Sequence, residues 1–238
     1  MPDAVPAFVW VEGLNGPGAH VSLGESAAHH VVRVCRARVG DSVTATDGQG
    51  ALAVCRVARI TPHVSLEVET IDRIGRARTA VLLCGAPEGQ RFDWVVEKLA
   101  ELGVARVRPI TTERGPWPRA ALRPDRWKRL AVAALEQSRG RHLLQVEVPM
   151  GLEEALEAEG PPGIGILADP AGVASGTIRP PEGAATVAAV GPSSGFSDAE
   201  RGLLLDRGFT AMSLAGTRLR TETAALAWAA WWAAPREA

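Results

Sequence analysis

Residues 213–234 read SLAGTRLRTETAALAWAAWWAA, and this stretch constrains how the rest of the chain can be arranged. It predicts the end of a strand, a loop that turns at Gly216, and a helix of Ala, Leu and Trp that is apolar on nearly every side. Thr221 is the predicted N-cap of that helix. Because such a helix must be buried, Arg218 and Arg220 are predicted on a short loop between two buried elements, a common place for functional side chains. The alternative is a surface loop whose arginines are only solvated.

The composition is that of a globular protein. The chain has 238 residues, of which 46% are hydrophobic and 22% charged, enough for one large domain or two ordinary ones. Its three cysteines are scattered and odd in number, which favours a reducing, cytoplasmic setting over disulfides. No apolar run reaches membrane-spanning length, and the N-terminus lacks the basic region of a signal peptide. CxxC and HExxH patterns do not occur either, so we expect neither a membrane segment nor a metal site.

The charges are distributed unevenly. The formal net charge is −1, yet arginines are dense in residues 33–59 and 106–141, while acids collect in residues 147–159. This asymmetry predicts a basic face that could contact phosphates. The alternative is that arginine simply replaces lysine through a coding bias.

The sequence pattern changes near residue 75. Residues 7–74 predict short strands, a hairpin turning at Asp47-Gly48 and one short helix over residues 26–38 capped by Ser26, which together suggest a small β-barrel. From residue 79, strands alternate with amphipathic helices, which predicts a parallel sheet covered by helices on both faces. We therefore predict two domains, residues 1–74 and residues 75–238, in an α/β fold.

Three predicted strands near the carboxy terminus end in residues suited to a ligand. Their carboxyl ends carry LADP (167–170), GPSSG (191–195) and LAG (214–216). In a parallel sheet, ligands bind off the carboxyl ends of the strands, so these three ends predict one site. GxGxxG, GxxxxGK[ST] and GxSxG are absent, which argues against the usual dinucleotide, nucleoside triphosphate and α/β-hydrolase sites.

Several segments together resemble one family. Residues 29–50, HHVVRVCRARVGDSVTATDGQG, are similar to an RNA-binding barrel of PUA-like type. The segments similar to the RsmE-type branch of the SPOUT methyltransferases are RFDWVVEKLAELGVARVRPITTER (91–114), RWKRLAVAALEQSRGR (126–141), AVGPSSGFSDAE (189–200) and SLAGTRLRTETAALAW (213–228).

This resemblance implies a function. RsmE-type enzymes methylate N3 of a uridine in bacterial 16S ribosomal RNA of the 30S subunit, bind S-adenosyl-L-methionine in a C-terminal trefoil knot, and work as homodimers. Combined with the three strand ends, it implies a cofactor site formed by Leu167, Ala168, Gly191, Pro192, Gly195, Leu214, Ala215, Gly216, Leu219 and Thr221.

Methyl transfer to uracil N3 suggests roles for charged residues. Arg220 is the first candidate to stabilise the negative charge on the deprotonated base, and Arg114 is the second. Glu222 is a candidate base or orienting group, although its placement also suits a purely structural acid in the first turn of a helix. The predicted phosphate contacts are Arg33, Arg38, Arg126 and Arg129.

The chain departs from the family pattern at several positions, which keeps alternatives open. It has GPSSG where the family usually has GPEGG, Ala215 where a glycine is usual, an arginine displaced by one position in the final loop, and Glu88 where lysine is common. These changes allow an RNA-binding protein that has altered or lost methyl transfer, or an enzyme that modifies another RNA position. A small-molecule α/β enzyme with an accessory barrel is a third alternative.

Overall fold

The computed structural model describes residues 6–117, 122–178 and 183–234. Contacts between residues group the chain into two compact units. The first contains the described residues up to Arg76 together with Leu135–Leu143, and the second contains Ala77–Ala134 and the described residues from Leu144 onward. Within the described residues, no helix is both long and apolar enough to cross a membrane.

A five-stranded sheet forms the first unit. Its order is β1-β3-β4-β5-β2, with β1 parallel to β3 and the other neighbours antiparallel. Alternating side chains bury one core that includes Val9, Val43, Ala45, Cys55 and Leu66. The strands are β1 (Ala7–Trp10), β2 (His20–Ser22), β3 (Ser42–Thr46), β4 (Ala51–Arg59) and β5 (Ser65–Arg73).

The predicted hairpin at Asp47-Gly48 is confirmed, because β3 and β4 pair antiparallel on either side of it. Gly48 has a φ of +72°, a left-handed conformation that glycine adopts most easily. The hairpin loop is also held by the segment Leu135–Leu143. The Leu143 amide donates to the Gly48 carbonyl at 2.8 Å, and the Gly50 amide donates to the Arg141 carbonyl at 2.9 Å. These bonds explain why a distant segment belongs to the first unit.

The helix predicted over residues 26–38 differs in detail. It consists of α1 (Glu25–His29), continued by a π-helical turn over His30–Val34. The N-cap position is Gly24, so the predicted cap at Ser26 is wrong; Ser26 lies inside the first turn. The segment ends before Arg36, whose φ of +57° is incompatible with further right-handed helix.

The predicted parallel sheet is confirmed in the second unit. Its order is β12-β10-β11-β6-β7-β8, with β9 also pairing with β7, and every pairing is parallel. The strands are β6 (Ala80–Cys84), β7 (Arg106–Thr111), β8 (Gln145–Val146), β9 (Met150–Gly151), β10 (Ile164–Ala174), β11 (Thr186–Val190) and β12 (Phe209–Ser213). The helices are α2 (Phe92–Glu101), α3 (Pro124–Ser138), α4 (Leu152–Glu159), α5 (Asp198–Asp206) and α6 (Thr221–Ala233).

Helix α6 is buried, as its composition predicts. Ala225, Trp228 and Ala229 are fully inaccessible to solvent, and the helix packs against α2, β6 and β11. The prediction that Thr221 is its N-cap is wrong. Arg220 holds the N-cap position without a side-chain cap, and the Thr221 hydroxyl instead donates to the Gly191 carbonyl at 2.9 Å. The hydroxyl therefore joins the start of α6 to the loop after β11.

Two local sequence signals set helix ends in this unit. Ser197 and Glu200 form a reciprocal capping box at the start of α5. Gly103 ends α2 with a φ of +74°. Glu200 has a second contact, since its carboxylate accepts the Glu113 amide at 2.9 Å. One capping residue therefore also fixes the loop that follows β7.

Candidate active site

A cavity of about 490 Å³ lies beside β10 and at the carboxyl ends of its two neighbours, β11 and β12. Its walls are formed by residues 167–171 within β10, by the loops after β11 and β12, by Arg201 of α5 and by the first residues of α6. Parallel strands place their carboxyl ends at one edge of the sheet, so loops separated by many residues in sequence meet here. The cavity is therefore a direct consequence of the strand order.

Hydrogen bonds between loops hold the walls together. The Thr221 hydroxyl bonds to the Gly191 carbonyl, as described above, and Arg218 donates to the Ser193 carbonyl at 3.0 Å. The Ser194 hydroxyl donates to the Arg114 carbonyl at 2.9 Å. The loop after β11 is consequently bonded both to the loop after β12 and to the loop after β7.

Pro192 is fixed by close backbone packing. A Cβ placed on Gly85 would lie 2.3 Å from the Pro192 nitrogen, and one placed on Gly115 would lie 2.5 Å from the Pro192 Cβ. Real Cβ atoms do not approach this closely, so both positions require glycine. Pro192 also lines the cavity, which means that these two glycines determine the position of one cavity wall.

A carboxylate lies at the carboxyl-terminal part of β10, on the cavity wall. Asp169 accepts the Arg201 guanidinium at 2.6 Å and the Ala171 amide at 2.8 Å, and both Asp169 and Arg201 line the cavity. Burial alone would raise the pKa of Asp169, but the hydrogen bonds from Arg201 and the Ala171 amide outweigh it and hold the pKa below its ordinary value. Asp169 therefore remains ionised and is a weak proton acceptor.

The structure brings nearly all the predicted cofactor residues to this cavity. Gly216 is the exception, since it lies in the loop after β12 but does not line the cavity. The predicted residues that line it are Leu167, Ala168, Gly191, Pro192, Gly195, Leu214, Ala215, Leu219 and Thr221.

The three candidate catalytic residues occupy different environments. Arg220 is exposed and lies between Leu219 and Thr221, two residues of the cavity wall. Arg114 is exposed, and its guanidinium reaches the Phe196 carbonyl at 3.4 Å. Glu222 is buried, with 6% of its surface exposed, and accepts a hydrogen bond from Arg91 at 2.8 Å. None of these three residues is among those that line the cavity.

The predicted phosphate contacts are all exposed arginines. Arg33 and Arg38 lie in the first unit, and Arg126 and Arg129 lie on α3 within the second. Arg126 is also ion-paired with Asp93, with 2.5 Å between its Nε and the carboxylate.

Sequence reasoning missed several wall residues. Most of them lie beside predicted positions in the same sequence segments, and that adjacency was the signal that could have identified them. Arg201, which is on α5, carried no such signal, because its role depends on the fold bringing it to Asp169. The missed residues are Asp169, Pro170, Ala171, Val190, Ser193, Phe196, Arg201, Met212, Ser213, Thr217, Arg218 and Ala224.

Models of known families match most of the chain. A model described as RNA methyltransferase domain matches residues 76–233, and one described as RNA methyltransferase PUA domain matches residues 23–69. The chain belongs to the RNA methyltransferase domain family. The resemblance to RsmE-type enzymes and the predicted fold class are thereby confirmed.

Individual members of this family are similar over almost the full length. Ribosomal RNA small subunit methyltransferase E of Synechocystis is 28% identical over 217 residues, which cover 87% of this chain and 70% of that protein. The structure of Ribosomal RNA small subunit methyltransferase E from Neisseria gonorrhoeae bound to S-adenosyl methionine is 28% identical, with a TM-score of 0.83 and coverage of 95% and 96%. A methyltransferase from Legionella pneumophila with bound SAM is 26% identical, with a TM-score of 0.81 and the same coverage.

Proposed function

We propose that this RNA methyltransferase family member transfers a methyl group from S-adenosyl-L-methionine to N3 of a uridine in small-subunit ribosomal RNA. The observation that carries the proposal is the meeting of β10 with the loops after β11 and β12 in one cavity, in a chain similar to enzymes named for small-subunit ribosomal RNA. The uridine and its N3 position rest on the family resemblance.

The cavity residues suit S-adenosyl-L-methionine. The volume of about 490 Å³ lies in the range of ordinary small-molecule sites. Leu167, Leu214 and Leu219 offer apolar surface for a base, and the backbone of the Gly191–Gly195 loop offers polar groups. The polar side chains of this wall include the ionised Asp169, whose charge is balanced by its pair with Arg201.

The bound donor would supply an electrophilic methyl group on a sulfonium. The methyl group would pass to a uracil N3 whose proton has been lost to solvent, and the donor would leave as a neutral thioether. The negative charge that develops on the base spreads to its two carbonyl oxygens. Arg220 and Arg114, exposed beside the cavity, are the groups that would stabilise this charge.

The surroundings of the two nearby acids favour this electrostatic role over general-base catalysis. Glu222 is buried against Arg91 and lies outside the cavity wall, so its contacts support a structural role at the start of α6. Asp169 is held by Arg201 and has a lowered pKa. Neither carboxylate is placed as a strong base toward a ligand in the cavity.

The proposal includes the partners. Arg33, Arg38, Arg126 and Arg129 would contact phosphates of the ribosomal RNA, so binding should weaken steeply as salt rises. The homodimer and the cytoplasmic setting come from the resemblance. Light scattering on the purified protein tests the dimer.

One experiment tests the proposed reaction. Small subunits from a strain that lacks the modification are incubated with methyl-labelled donor and either wild-type protein or Arg220→Ala, and the labelled nucleoside is identified by mass spectrometry. We expect 3-methyluridine with wild type and about 100- to 1,000-fold slower transfer with Arg220→Ala. Failure of the wild type to bind the donor in calorimetry would refute the proposal, and a ribose-methylated product would refute the N3 assignment.

A further inference from the structure

The loop after β11 contains positions at which the chain departs from the family pattern, and the proposed function assigns them no role. In this rim loop, residues 191–196, Ser193 and Ser194 stand where an acid and a glycine are usual. Arg218, in the loop after β12, is the arginine displaced by one position. All three residues are exposed. Their contacts show that two of these departures connect the rim loop to different parts of the second unit.

Arg218 connects two loops that begin on opposite sides of a strand. Since β11 and β12 pair with the two edges of β10, their following loops leave the sheet about 10 Å apart, twice the spacing of neighbouring strands. The Arg218 guanidinium nevertheless donates to the Ser193 carbonyl at 3.0 Å. Both residues are exposed and line the cavity proposed for the methyl donor, called the donor cavity. The bond therefore joins two walls of the donor cavity at its rim.

A second bond joins the same two segments at a buried position. The Thr221 hydroxyl donates to the Gly191 carbonyl, and Thr221 is only 4% exposed. Arg218 forms no further hydrogen bond or ion pair with the residues that the structure describes. Replacing Arg218 should consequently free the outer part of the rim loop while the buried bond keeps the segments folded together.

Ser194 connects the rim loop in the other direction. It does not line the donor cavity, although Ser193 and Gly195 on either side of it do. Its hydroxyl donates to the Arg114 carbonyl at 2.9 Å, and the Arg114 guanidinium donates to the Phe196 carbonyl at 3.4 Å. A glycine at this position would have no hydroxyl to form the first bond. The rim loop therefore holds the backbone of an arginine proposed to stabilise charge on the base.

We propose that Arg218 and Ser194 are positioning residues with separate tasks, an inference that rests on the proposed function. Arg218 acts through the Ser193 carbonyl and forms the wall of the donor cavity before the donor arrives, which reduces the entropic cost of binding. Ser194 holds the Arg114 backbone so that the guanidinium stays beside the cavity. The rim loop thus couples donor binding to the position of the charge-stabilising arginine.

The first test uses the protein without donor. Hydrogen exchange is measured on peptides that contain the Gly195 amide, which is bonded to the Pro192 carbonyl at 2.8 Å. We expect Arg218→Gln and Ser194→Ala each to speed exchange about fivefold to tenfold, because each removes one bond that holds the loop. The control is Arg207→Gln, an exposed arginine of the same unit that does not line the cavity, and it should exchange like the wild type. Wild-type exchange in either rim-loop variant would overturn the proposal.

The second test separates the two tasks. Donor Kd is measured by calorimetry, and single-turnover methylation of small subunits is measured at saturating donor. Arg218→Gln should raise the donor Kd about tenfold and slow the saturated rate at most about twofold. Ser194→Ala should slow the saturated rate about fivefold and raise the donor Kd at most about twofold. Ser194→Thr, which keeps the hydroxyl, should restore the rate, and the reversed pattern in the two variants would refute the division of tasks.

The third test decides whether Arg218 acts on the wall or on the donor itself. 5′-Methylthioadenosine has the base, ribose and thioether of the donor but lacks its carboxylate. We expect Arg218→Gln to weaken binding of this compound by the same factor, about tenfold, because the wall receives both molecules. A loss of affinity for S-adenosyl-L-methionine alone would show that the guanidinium binds the carboxylate, and the positioning role of Arg218 would be wrong.

These outcomes also separate the inference from the proposed function. If the wild type binds no donor but hydrogen exchange responds to the variants as expected, the proposed function fails and the two connections of the rim loop stand. If both variants bind and transfer the methyl group with wild-type constants, the proposed function stands and the inference fails.

Discussion

Replacing Gly85 by alanine tests how the cavity wall is positioned. Gly85 lies directly after β6, and its amide donates to the Val190 carbonyl at 2.8 Å. Its φ is not in the left-handed region, so alanine introduces no backbone strain and acts only through its added methyl group. That methyl group would lie 2.3 Å from the Pro192 nitrogen and 2.7 Å from the Gly191 carbonyl carbon. Both neighbours are backbone atoms, which cannot rotate away as a side chain could.

The size of the effect follows from these distances. Ordinary contacts begin at 3.4 Å, so the loop after β11 must move by about 1 Å, and a displacement of that size costs on the order of 100-fold in rate. The same crowding in a packed interior costs about 1–3 kcal/mol in the free energy of unfolding. We therefore expect Gly85→Ala to fold, with weaker donor binding and strongly reduced methyl transfer.

The assay compares Gly85→Ala with Gly202→Ala. Gly202 lies on α5 of the same unit, and a Cβ there would contact nothing within 4 Å. Because alanine favours helix, the control should be more stable by about 0.5–1 kcal/mol and fully active. Urea unfolding, calorimetry with the methyl donor and single-turnover methylation are measured on both. Wild-type donor affinity and rate in Gly85→Ala would refute the view that close packing at Gly85 positions the loop.

Three further predictions concern charged and thiol groups. Glu222→Gln should lower the free energy of unfolding by on the order of 2 kcal/mol, because it breaks the pair with the partly exposed Arg91. The pH–rate profile of methyl transfer should keep its shape. If its acidic limb disappeared in the variant, Glu222 would instead be the catalytic base. Asp169→Asn should cost about 1 kcal/mol at pH 7 by removing the pair with Arg201. Because the folded pKa of Asp169 is lowered, its contribution is present above the ordinary value of 3.8 and disappears as pH falls through the folded pKa, so urea unfolding of wild type and variant should converge in acid. Alkylation of the native protein at pH 8 should modify the exposed Cys35 alone. Burial, with a smaller contribution from a nearby glutamate, raises the pKa of Cys55 to about 11 and that of Cys84 to about 12. Mass spectrometry that finds either buried thiol modified at a similar rate would contradict this.

Local patterns in the sequence were sufficient for most elements of the second unit. Strand β6 and helix α6 are apolar enough to be predicted from composition, and the capping box at Ser197 is a local signal four residues long. The first unit was harder. The helix there begins one residue before the predicted cap at Ser26, because Gly24 is extended and supplies the boundary without a side-chain bond.

By itself the sequence determined that three strand ends near the carboxy terminus would meet, because parallel strands place their carboxyl ends at one edge. Only the tertiary structure decided what the polar groups in and around those strand ends do. Thr221 bonds to Gly191, 30 residues away, and Glu222 pairs with Arg91, 131 residues away. Periodicity shows which face of an element is buried, but it carries no information about which distant group lies against that face.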